Sequence, residues 1–188
     1  MAFLYHKFTR RLLITLVLFW STFSFWSLNP LGFSRIIVAV LGVACLYFIW
    51  REMAAAFLLI FLSFTSAYAL FGFFIQYNLP TWLVMLAVMV IFGFLFMYNE
   101  QKLGILGNKR LIYLVLFALI ILEVFLMLTY FYINPINQSL IVATVSYLFS
   151  GFSLSILAKR SDIKLVSYVW IALAATLAIL LSSNWSTP

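Results

Sequence analysis

KRLIYLVLFALIILEVFLMLTYFYINP, residues 109–135, decides how this chain folds. Two basic residues open it, an Asn-Pro pair closes it, and between them Leu111 to Ile133 carry a single charged side chain, Glu123. A helix rises 1.5 Å per residue, so about 20 apolar residues cross a hydrocarbon core about 30 Å thick. The run is long enough. Apart from Glu123 it is continuously apolar rather than apolar at every second position, which is the pattern of a membrane helix and not of a barrel strand.

The rest of the 188 residues repeats that pattern. Hydrophobic residues make up 67% and charged residues 8%, against about 25% charged in a soluble domain, so water cannot solvate the folded chain. Lipid has no groups to satisfy the backbone, and helices satisfy it internally. The reading is an all-α, polytopic membrane protein forming a single transmembrane domain over 1–188. Seven spans are expected, at Leu12 to Leu28, Phe33 to Trp50, Met53 to Ile75, Thr81 to Tyr98, Leu111 to Ile133, Ser139 to Ala158 and Leu165 to Leu181. Asn29-Pro30, Asn78-Leu79-Pro80 and Asn134-Pro135 lie in alternate connections as turn chemistry, because proline cannot continue a helix and asparagine tolerates tight turns.

Charge then orients the array. Ten of the eleven Lys and Arg residues fall on one side: Lys7, Arg10, Arg11, Arg51, Lys102, Lys109, Arg110, Lys159, Arg160 and Lys164. Arg35 alone is opposite, near enough to the surface to snorkel to the headgroups. Basic residues in short loops stay in the cytoplasm, which predicts the N-terminus inside and the C-terminus outside, in a bacterial-type cytoplasmic membrane. Trp26, Tyr77, Trp82, Tyr132 and Trp185 then fall near the outer interface, as amphipathic rings should. The basic start and apolar run also have the form of a signal peptide, but Ser21 to Ser27 is crowded with Phe and Trp and lacks a small-x-small cleavage site. A retained first span is expected.

Because topology absorbs the net charge of +7, spread over four separated segments, no contiguous basic face remains for nucleic acid. The expected partners are the lipid bilayer and other membrane subunits or further copies of the chain. Catalysis is not expected. The one histidine, His6, lies outside the spans, so neither a Ser-His dyad nor a histidine-rich metal site can be assembled, and no cofactor motif occurs. Gly151-Phe152-Ser153-Leu154-Ser155 lacks the second glycine and the base of a nucleophile elbow. Lys164 stands at the start of the seventh span rather than within it, so a retinal Schiff base has no attachment point there. Cys45 lies within a span, where packing accounts for it.

Glu123 is the exception within the spans. It lies thirteen positions beyond Arg110, roughly 20 Å along the helix, close to the midplane. An ionisable group at that depth marks an ion, proton or substrate path, or a bond to another helix. Counting inward from the helix ends brings Ser66, Tyr68, Ser146, Tyr147 and Thr176 to the same level, and these with Glu123 are the candidate intramembrane polar site. Ser139, Ala143, Ser146, Ser150 and Ser153 recur every three or four residues, a small-residue stripe on one face of the sixth span. That stripe suits close helix packing and suggests a central position for this helix.

Arg10-Arg11-Leu12-Leu13 and Lys109-Arg110-Leu111-Ile112 open two outward-running spans, each ending near Asn-Pro, which suggests parallel repeats of three helices around a linking fourth. In helix count the layout resembles sugar carriers of the SWEET type. Their proline-glutamine motif is absent and their orientation is opposite, so no family is assigned. Three functions are therefore in view. The first is a transporter or channel-like protein for a proton, cation or small solute, with Glu123 in its path. The others are a non-catalytic subunit or assembly factor of a larger membrane complex, and lipid or polyprenol handling.

Overall fold

A computed structural model describes residues 7–102, 109–131, 133–157, 169–170, 173–174 and 176–177. The described residues form six long helices: α1 (Lys7–Leu28), α2 (Gly32–Arg51), α3 (Ala55–Tyr77), α4 (Thr81–Lys102), α5 (Lys109–Thr129) and α6 (Pro135–Leu157). The described residues include no strand. Helices α1 to α5 are long and apolar enough to cross a membrane, while α6 carries Asn137, Gln138 and a series of serines. Of the expected seventh span, Val169, Trp170, Leu173, Ala174, Thr176 and Leu177 are helical, and its other residues lie outside the described ones.

Helix ends depart from the apolar runs where side chains or proline set them. Helix α1 is described from Lys7 onward, so Arg10 and Arg11 belong to the helix rather than preceding it. Helix α5 ends at Thr129 rather than Ile133, because Tyr130 and Phe131 turn the chain. Pro135 then opens α6, at a first position where its missing N–H costs nothing.

Asparagine shapes the connections. Asn29 Oδ1 accepts the Leu31 N–H at 3.0 Å, its amide donates to Ser34 Oγ at 2.6 Å, and its carbonyl accepts Arg35 Nε at 2.5 Å. Arg35 is thus tied to the turn, not simply extended to headgroups. Asn78 takes the left-handed conformation (φ 47°) that ends α3, and Pro80 offers its carbonyl to Leu83 and Val84 at the start of α4. The short α2–α3 connection uses Glu52 and Ala54 at φ 56° and 50°.

At the centre stands α3. Within its most apolar stretch 72% of residues are buried, against 22 to 33% in α1, α2, α4 and α5. It packs most extensively against α6, then against α1 and α4, and Phe71 stacks on Phe125 of α5 with ring centres 4.0 Å apart. Phe96, Phe117 and Phe149 join α4, α5 and α6 in a second aromatic cluster, with ring centres 4.7 to 5.8 Å apart. The stripe on α6 suggested that α6 is the central helix. Among the described residues α3 is the most enclosed, and α6 is its broadest neighbour.

Candidate intramembrane polar site

Depth along a helix is only half of a position, and the residues matched by depth point in different directions. Ser66 and Tyr68 are both buried on α3, but two residues turn a helix by about 200°. Tyr68 faces α1, where its ring meets Phe25 with centres 4.5 Å apart. Thr65 and Gly72 share that side: Thr65 Oγ1 donates to Ser21 Oγ at 3.0 Å, and the Gly72 Cα lies against Leu28 so closely that a Cβ would come within 2.6 Å of it. Ser66 therefore starts from the side of α3 turned away from α1, and its hydroxyl has no hydrogen-bond partner among the described residues.

On α6, Ser146 is buried and its hydroxyl is spent on the Val142 carbonyl of its own helix at 2.9 Å, while Tyr147, one position on, is half-buried and engaged with a neighbour. Thr176 is half-buried and also engaged. Glu123 does not join them. Its side chain is exposed on the outside of the bundle, and it makes no hydrogen bond or ion pair among the described residues. On the same face of α5 lie Ile112, Leu116, Leu119 and Met127, all exposed, at spacings of three and four residues. The inward face is carried by Phe117, Ile121, Phe125 and Leu128. Among the described residues, this alternation of faces sets Glu123 apart from the buried Ser66, Tyr68 and Ser146.

The small-residue stripe is a buried surface throughout: Ser139, Ala143, Ser146, Ser150 and Ser153 are all enclosed. Ser139 donates back to the Pro135 and Ile136 carbonyls, as serines in a membrane helix commonly do. Ser150 Oγ receives the side-chain amide of Asn99, linking α6 to α4. Small residues also crowd α3, where Ser63, Thr65, Ser66, Ala67, Ala69 and Gly72 are buried. Two helices that lack bulk at their contact bring their backbones close, and dispersion then holds them.

Other polar contacts escaped the reading of the sequence because their partners lie on different helices. Gln138 is buried and its amide nitrogen donates to the Leu128 carbonyl at 2.7 Å and the Phe131 carbonyl at 3.2 Å, closing the end of α5. Arg11 Nη2 donates to Glu52 Oε1 at 2.6 Å, joining α1 to the α2–α3 connection. A buried glutamine three residues after Asn-Pro was the available signal for the first. For the second, the signal was a lone acid beside the basic ends of two helices.

A crevice between α3, α4 and α5, lined by Phe74, Val84, Met85, Phe125, Leu126 and the threonines Thr81 and Thr129, has no room for a water molecule. Among the described residues, no three of His, Cys, Asp and Glu come together as a metal site would require. Cys45 is buried and unpaired. The chain matches no protein-family model, no curated protein and no solved structure.

Proposed function

We propose that this protein is a non-catalytic subunit or assembly factor of a larger membrane complex, and that the outer face of α5 docks a transmembrane helix of a second membrane protein. The outward position of Glu123 carries this reading. A charged side chain near the bilayer centre costs about 2.5 kcal/mol or more when lipid surrounds it. A partner helix presenting a basic or amide side chain at the same depth removes that cost, and Ile112, Leu116, Leu119 and Met127 supply the apolar contact on either side. A transport path through the bundle draws no support from the same position, since Glu123 is turned away from the buried serines of α3 and α6. The proposal also takes seven spans, with the N-terminus in the cytoplasm of a bacterial-type cell. The distribution of basic residues and the helical stretches between Val169 and Leu177 support it.

Purification from the native membrane in mild detergent tests the docking. The chain is expected to elute with a second membrane protein in fixed ratio. Glu123→Leu should release that protein while leaving the chain folded, and Glu123→Gln, which keeps a hydrogen-bonding end, should retain most of it. A solitary chain that binds a solute, or a Glu123→Leu chain that keeps its partner, overturns the proposal.

A further inference from the structure

Where α1 begins and α2 and α4 end, two adjacent arginines are placed quite differently. Arg11 is held by Glu52, and its guanidinium lies 6.0 Å from the centre of the Trp50 ring. Arg10, one position earlier and about 100° around α1, reaches α4, where its guanidinium carbon lies 5.5 Å from the centre of the buried Tyr98 ring. A contact with a ring face uses the plane of the guanidinium and leaves its in-plane N–H donors unspent.

The Nε groups of Arg10 and Arg11 are both shielded from solvent without a hydrogen-bond partner among the described residues. Arg10, Arg11 and Glu52 all sit close enough to act electrostatically on the Tyr98 hydroxyl, so the three charges share one neighbourhood. Among the described side chains here, two guanidinium groups face the Glu52 carboxylate, which Arg11 already holds. Phe8, Tyr47 and Trp50 are exposed around this end, as rings are at the level of lipid headgroups. A tetrahedral oxyanion suits the site: it is charged opposite to the excess, and a guanidinium fork matches phosphate oxygens in pairs.

We propose that Arg10 and Arg11, between the Tyr98 and Trp50 rings, bind a phosphate group at the membrane–water interface. The chemistry is that of a phosphodiester in an anionic lipid headgroup or of free phosphate, and the site is independent of the docking face on α5. Arg10 is the principal ligand, because Arg11 is shared with Glu52.

The test uses the full chain in detergent micelles, titrated with phosphatidylglycerol, with phosphatidylcholine and with inorganic phosphate, and read by native mass spectrometry. The wild type should retain phosphatidylglycerol over phosphatidylcholine, and Arg10→Gln should weaken that retention about tenfold, the loss of a charged hydrogen-bonded contact. Displacement of the lipid by millimolar inorganic phosphate assigns the site to soluble phosphate; retention in its presence assigns it to lipid. Arg10→Lys keeps the charge without the fork, and should weaken binding severalfold while leaving the bundle intact. Wild-type binding by a folded Arg10→Gln or Arg10→Lys chain overturns the proposal. So does a wild type that binds neither anion in preference to phosphatidylcholine.

Discussion

Gln138 holds the end of a helix to which it does not belong. From the first turn of α6, its amide adds a second donor to the Leu128 and Phe131 carbonyls, which already accept the Phe131 and Ile133 N–H groups in the turn that follows α5. Gln138→Leu removes both contacts but leaves each carbonyl its backbone donor, so a loss of about 1 kcal/mol is expected. Thr65→Val removes one hydrogen bond to Ser21 and preserves shape; contacts of that kind in membranes average about 0.6 kcal/mol, so its effect should be the smaller. Thermal unfolding in one detergent ranks the two, and equal midpoints for Gln138→Leu and wild type would refute the capping role. Nothing in the sequence ties Gln138 to α5. It reads as a polar residue just before an apolar run, because its acceptors are backbone atoms of another helix.

Between elements, the contact of α3 with α6 decides the architecture, and half of it was legible. The stripe from Ser139 to Ser153 repeats at helical spacing on one helix, so it could be recognised without a partner. Its counterpart on α3 hides within SFTSAYALFG, residues 63–72, where small residues occur on several sides because α3 has neighbours all round. Ser146→Leu should wedge the helices apart at about 1–3 kcal/mol, while Phe152→Leu, at an exposed position of the same helix, should leave the unfolding midpoint near that of the wild type. Equal midpoints would mean that the seam is loosely packed. In the α2–α3 connection, Ala54 adopts a left-handed conformation that costs an L-residue about 1–2 kcal/mol. Ala54→Gly relieves it, less the extra freedom gained by the unfolded chain. A raised midpoint is expected, and a lowered one would show that the Ala54 side chain contributes more contact than strain.

For the molecule as a whole, the decisive measurement is topology. A reporter active only in the cytoplasm should work when fused within the α2–α3 connection, beside Glu52, and fail beside Asn78; the opposite pattern would reverse the orientation drawn from the basic residues. The sequence by itself determined that the chain is helical and membrane-embedded, where its apolar runs lie, and that asparagine and proline turn it. Those features follow from composition and from distance along the axis, which is counted directly in residues. Only the tertiary structure decided direction around each axis: that Tyr68 faces α1 while Ser66 does not, that α3 rather than α6 is the centre, and that Glu123 looks outward. In water an apolar stripe would have announced the inner face of each helix. Lipid and protein interior are alike apolar, so both faces of a span are made of the same residues, and the choice falls to packing and a few hydrogen bonds between helices.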